Sequence, residues 1–226
     1  MLEAFRGRAA AARRMIDSAR RTVTELGLRH ALLEVEQFAG IVELVADHAA
    51  AAEPHLRKAY NGFRRMGLDA DTAETAALLG RACLVLDREA EADELCTESE
   101  RLAGHALKAS IAWRALRALL LSRRGDYDEA RRMAEEAVSV AGHTDLLVDH
   151  GDACLTLATV LNAAGETAGA RVAPAGRSTC TSGRALRHSP RGHAVFSVQN
   201  HRPPRLHRNR PPRSNRTTRA CEQVNG

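Results

Sequence analysis

GRAAAARRM (7–15) and GDYDEARRM (125–133) align without a gap, each running from a glycine into an Ala-Arg-Arg-Met group. The same frame recurs in DHAAAAEPH (47–55), DREAEADEL (87–95) and GETAGAR (165–171). The five copies open on Gly7, Asp47, Asp87, Gly125 and Gly165, at spacings of 40, 40, 38 and 40 residues. Glycine takes a positive φ freely after a helix C-terminus, and aspartate can bond its own backbone and cap the following helix. Each opening residue therefore predicts a tight turn. Five positions later stands an alanine every time: Ala12, Ala52, Ala92, Ala130 and Ala170. Steps of four and then three residues reach Ile16 and Ala19, Leu56 and Ala59, Cys96 and Ser99, and Ala134 and Ala137, all on one helical stripe. Small side chains there let the two helices of a hairpin approach to roughly 8–9 Å. One turn type repeated near every 40 residues predicts stacked helical hairpins.

Composition divides the chain at the same place as the repeat. From Leu2 to about Ala170 the sequence is rich in Ala, Leu, Glu and Arg, with apolar residues at helical spacing and no strand-like alternation. Helices are expected near 4–25, 29–46, 49–66, 72–86, 89–103, 108–123, 127–141 and 146–163, with one more beginning at Thr167. A single hairpin cannot cover its apolar face, and about three must stack before such an array is stable. Residues 1–171 hold 22 basic and 27 acidic residues, net −5. Residues 172–226 hold eleven arginines, no lysine and one acid, Glu222, net +10, with six of the seven prolines. Two regions are expected: a helical-repeat domain over 1–171 and a disordered basic tail over 172–226.

The block AWRALRALLLSRRGDYDEARRMAEEAVSVAGHTD (112–145) resembles a tetratricopeptide unit. Trp113 lies in its first helix, Gly125 to Tyr127 make the turn, and Ala130, Ala134 and Ala137 line the second helix. The period is near 40 rather than 34. Residues 20–170 more narrowly resemble the C-terminal solenoid of large bacterial multidomain regulators, through WRALRALLLSRRGDYDEARRMAEEAVSVA, HTDLLVDHGDACLTLATVLNAAGE and AAAAEPHLRKAY. In that group an ATPase module is coupled to a nucleotide-cyclase or DNA-binding output domain. The resemblance implies an intracellular sensor arm that binds a protein or regulatory partner, in signal transduction or transcriptional control.

No residue set specifies a reaction. No GxxxxGK[ST] occurs, and the only lysines, Lys58 and Lys108, follow no glycine-rich loop, which excludes a P-loop. No HExxH occurs either. His143, Asp145, Asp149, His150 and Asp152 form the densest polar group, but the acids open a helix, where carboxylates complement the positive end of the macrodipole. The five cysteines (83, 96, 154, 180, 221) show no CxxC and no metal-ligand spacing. Cys83, Cys96 and Cys154 are expected to be buried packing thiols with no cationic neighbour close in sequence. Trp113 is expected to pack within its hairpin. The N-terminus has no secretory h-region, and ALRALLLS (115–122) is too short to cross a bilayer. A cytoplasmic protein is expected.

RPPRLHRNRPPRSNRTTR (202–219) would attract phosphate through its charge, yet it offers no lysine and no aromatic to stack a base. The competing reading is translation out of frame. Gly176 to Thr181 can be encoded so that the frame one nucleotide earlier spells Ala-Leu-Asp-Leu-Tyr, with its alanine at the stripe position forty residues after Ala137. A frameshift near 171–175 is expected. The sequence thus points to an all-α, tetratricopeptide-like solenoid without catalytic residues, cofactor or metal, serving as a protein-interaction module and fragment of a regulator. Its partner is an unidentified protein, with self-association through an exposed C-terminal repeat face. Membrane is not expected as a partner, nor nucleic acid beyond non-specific contact by the tail. The alternative is a nucleic-acid-associated protein using that tail.

Overall fold

A computed structural model of the chain describes residues 2–165. Ala170, the helix expected from Thr167 and the tail 172–226 lie outside the described residues. Among the described residues there are nine helices and no strand. They are α1 (Leu2–Phe5), α2 (Ala9–Glu25), α3 (Arg29–Val45), α4 (Ala49–Met66), α5 (Asp69–Val85), α6 (Glu89–Ala103), α7 (Leu107–Arg124), α8 (Tyr127–Gly142) and α9 (Leu147–Ala163).

The repeated turn has one backbone geometry. Gly7, Asp47, Asp87, Gly125 and Gly165 all have left-handed φ, between 59° and 84°. At the first four the next residue's N–H reaches back five positions: Arg8 to Glu3, His48 to Glu43, Arg88 to Cys83 and Asp126 to Leu121, at 2.8–3.0 Å. That is the Schellman closure, which satisfies the last carbonyls of one helix and starts the next within two residues. The aspartates were expected as N-caps. They are instead left-handed C-terminal residues, and the N-caps are His48 and Arg88, with no side-chain cap bond. Aspartate tolerates this region better than most side chains, which is why it can stand where glycine does. The same turn recurs at Gly27 and Gly67, between hairpins. The helix expected over 4–25 is two helices, because the left-handed Gly7 interrupts it. The helix expected from 72 begins at Asp69.

The hairpins stack in two layers. Helix α5 packs along α7, and α7 along α9, whereas α4, α6 and α8 do not pack helix on helix with one another. The odd-numbered helices from α3 onward therefore form the inner layer, and the outer helices splay apart. Ala52, Leu56, Ala59, Ala92, Cys96, Ser99, Ala130, Ala134 and Ala137 are fully buried in the hairpin contacts. A matching small position lies on the inner helices seven residues before each turn: Gly40, Gly80, Ala118 and Ala158. A Cβ on Gly40 would overlap Leu56, and one on Gly80 would overlap Leu116 and crowd the Ala92 carbonyl at 3.3 Å. Between these close approaches, Leu56, Leu79, Leu116 and Leu120 are wholly buried, each contributing about 1.5–3 kcal/mol of apolar burial. Among the described residues no helix is long and apolar enough to cross a membrane.

Candidate functional site

Polar chemistry differs between the two layers. Where α2, α3 and α4 meet, Glu36 is 2 % exposed. It accepts from Arg20 at 3.1 Å and Lys58 at 2.9 Å, and His55 lies at 2.7 Å. Burial pushes its carboxyl up, but the three partners together hold it below the usual range. One turn pair away, Arg13 grips Glu43 with two bonds of 2.6 Å, and that bond lowers the Glu43 carboxyl. The splayed outer helices are bridged the same way. Arg57 of α4 reaches Glu91 of α6 at 2.6 Å, and Tyr60 of α4 donates to Glu98 of α6. Burial and that carboxylate push the Tyr60 hydroxyl up to about 12.

The inner face gathers carboxylates without such partners. Asp71, Glu74 and Arg81 lie at helical spacing on α5, and Asp149 and Asp152 on α9. Glu74 is largely buried and Asp149 half-buried, and neither forms an ion pair among the described residues. Burial raises the Glu74 carboxyl, and Asp149 and Asp71 add to the rise, while Lys108 and the Gln37 amide only partly offset it. Burial likewise raises Asp149, opposed by Lys108. Gln37 is on α3, Glu74 on α5, Lys108 on α7 and Asp149 on α9, so one side chain from each inner helix meets in one electrostatic group. Beside it Arg81 of α5 reaches over α7 to pair with Asp152 of α9. His30 lies 3.7 Å from Asp71 at the α3 end. The surface has net negative charge in a water-poor setting, where an incoming cation would be held more strongly than at an open surface.

The repeat residues singled out in the sequence are structural in placement. Gly7, Asp47, Asp87, Gly125 and Gly165 make turns, and Ala12, Ala52, Ala92, Ala130, Ala134 and Ala137 are buried between helices. Tyr127 opens α8 and is exposed. Trp113 is half-buried against Ala73, Ala103 and Ala109, with the Arg114 guanidinium 4.2 Å from its ring centre. None of these meets the inner carboxylates.

The 143–152 group does not converge. His143 bonds the Ser139 carbonyl at 2.6 Å, Asp152 turns to Arg81, and Asp149 joins Glu74. The N-cap of α9 is Leu146, without a side-chain cap bond, so of these acids only Asp149 lies in its first turn. Among the described residues no group of His, Cys, Asp and Glu could hold a metal. Cys83 and Cys96 are buried, but Cys154 is exposed, contrary to expectation, because α9 carries no outer helix there. Cys83 does have cations beside it, Arg88 at 3.4 Å and Arg57 at 4.0 Å, brought there by folding. Burial, with Glu91, nevertheless pushes its thiol up to about 11, and burial pushes Cys96 to about 12. Such thiols are not nucleophiles at neutral pH. A shallow concavity of about 670 Å³ at the hairpin-turn edge is lined by Arg13, Glu43, His48 and Val85. Its arginine and glutamate are already paired with each other.

The sequence matches no family model and no curated protein. Among solved structures, the chain is similar to the crystal structure of BtubC (BKLC) from P. vanneervenii, with 15 % identity, 81 % of each chain covered and a TM-score of 0.49.

Proposed function

We propose that the chain is a non-catalytic protein-interaction module whose binding face is the inner surface of α3, α5, α7 and α9. One observation carries this reading: Glu74 and Asp149 are drawn together from different repeats and left without a cationic partner, while Glu36 and Glu43 on the other side are saturated. Unpaired, poorly hydrated carboxylates destabilise the free protein, and a ligand cation placed between them relieves that cost. The ligand chemistry that fits is a peptide segment bearing arginine or lysine, held along a surface built from several repeats. The resemblance of residues 20–170 adds the setting, the partner-binding arm of a bacterial signalling or transcriptional regulator.

Fluorescence anisotropy with a labelled arginine-rich peptide tests the binding reading. Binding should be salt-sensitive, absent for a glutamate-rich peptide of equal length, and weakened about tenfold by Glu74→Gln with Asp149→Asn, a loss equivalent to about 1.4 kcal/mol. Equal binding by wild type and variant would remove the inner face from consideration. Sequencing the DNA upstream for an ATPase module tests the setting.

A further inference from the structure

The stack ends in two different ways, and its ends are complementary. At one end, α9 is an inner helix on which no outer helix lies among the described residues. Gly151, Cys154, Leu155 and Ala158 are exposed, whereas Ala73, Ala76, Ala77 and Gly80, at the same distances before the turn in α5, are buried. Leu147 is 79 % exposed and Leu155 49 %. At the other end, α2 is an outer helix whose inner partner, α1, is a single turn. Met15, eight residues after its turn, is 62 % exposed, whereas Leu95 and Met133 at the equivalent places are buried. That position faces the inner helix of its own hairpin, since a Cβ on Gly80 would lie 3.5 Å from the Leu95 Cβ. So α9 lacks an outer helix, and α2 lacks most of an inner one.

Charge agrees with the match. Residues 1–25 carry six arginines against three acids, while residues 145–165 carry Asp145, Asp149 and Asp152 with no lysine or arginine. Coulomb attraction between such ends favours encounter of α2 with α9 and disfavours α9 with α9. The chain's own continuation is a poor cover for α9. Twelve residues after the turn, where Ala59, Ser99 and Ala137 are fully buried, it has Arg177, and nine after the turn it has Pro174.

We propose that a second copy of this chain occupies the α9 face, with α9 of one copy packing along α2 of the next, beyond α1, as the inner helix that hairpin lacks. The contact joins two different surfaces, so it does not close on a pair but extends head to tail. It is separate from the inner carboxylates.

Sedimentation velocity of the full chain over a concentration series tests this. The mean mass should climb past that of a dimer as concentration rises. Met15→Glu and Leu155→Glu, both at exposed positions and so neutral to the helical circular dichroism, should each hold the chain as a monomer. An equimolar mixture of the two variants should form a 1:1 dimer and nothing larger, because each supplies one intact end. A wild type that stays monomeric at every concentration overturns the proposal, as does assembly blocked by Leu155→Glu alone, which would mean α9 against α9. Assembly indifferent to both variants, or a mixture that stays monomeric, overturns it equally.

Discussion

Glu36, where α2, α3 and α4 meet, and Glu74 on the inner face are both largely out of water, yet their protons are held in opposite directions. Three cationic side chains stand around Glu36, while two further carboxylates stand near Glu74. Helix spacing gives a physical reason for the contrast. Outer helices diverge, and the gaps between them are spanned by arginine, as from Arg57 to Glu91 or from Arg64 to Glu98 at 3.6 Å. Inner helices converge, so short acids from different repeats fall near one another without a long cation between them. Pairing in one layer builds the stack, and absence of pairing in the other leaves a surface that can still gain from a ligand.

The sharpest test of that contrast removes a saturated carboxylate. Glu36→Gln keeps the shape of the side chain but leaves Arg20, His55 and Lys58 crowded without their anion. A loss of about 2–3 kcal/mol is expected in urea denaturation, below the full cost of a broken buried pair because the cations reach water. A loss under about 0.5 kcal/mol would mean that the network is decorative and the contrast empty.

Packing of the outer stripe ranks next. Ala134→Leu or Ala137→Leu inserts methylenes where α7 and α8 are in close contact, and should cost about 1–3 kcal/mol. This stripe was legible in the sequence because it lies at a constant distance after each turn. The second small position, at Gly40, Gly80, Ala118 and Ala158, repeats just as regularly before the turns and could have been found by the same count. The inner carboxylates could not. Gln37, Glu74, Lys108 and Asp149 sit 10, 13, 17 and 16 residues before their turns, so no fixed register marks them. Only the stacking of four helices makes them neighbours. Cys83 shows the same limit, its Arg57 neighbour being 26 residues away in sequence.

The inner face predicts an effect of opposite sign. Glu74→Gln removes a buried charge that folding disfavours, and should stabilise the chain by about 0.5–1 kcal/mol at neutral pH. The pH profile sharpens this. Glu36, Glu43, Glu53 and Glu91 have lowered folded values, so their stability is present above the ordinary carboxylate range and is lost as pH falls through it. Glu74 and Asp149 have raised values, so they cost stability at neutral pH, and that cost disappears as pH falls. Wild type should therefore lose stability on acidification, Glu36→Gln should lose less, and Glu74→Gln should lose more because its compensating group is gone. A shallower acid limb in Glu74→Gln would reverse the assignment of the inner face.

The smallest effect belongs to a pair that looks, by distance alone, as good as any in the molecule. Arg131 donates to Glu135 at 2.8 Å, shorter than the 3.1 Å between Arg20 and Glu36. The two differ in surroundings. The side chains of Arg131 and Glu135 are each about half exposed, so water and salt compete for both charges, whereas Glu36 has almost no access to solvent. Glu135→Leu adds no volume to a closed contact and breaks only a screened i,i+4 pair, so the expected change is within about 0.5 kcal/mol of zero. A melting shift for Glu135→Leu as large as that of Ala134→Leu, one residue earlier on α8, would place position 135 in a helix contact and displace the whole stripe by one residue.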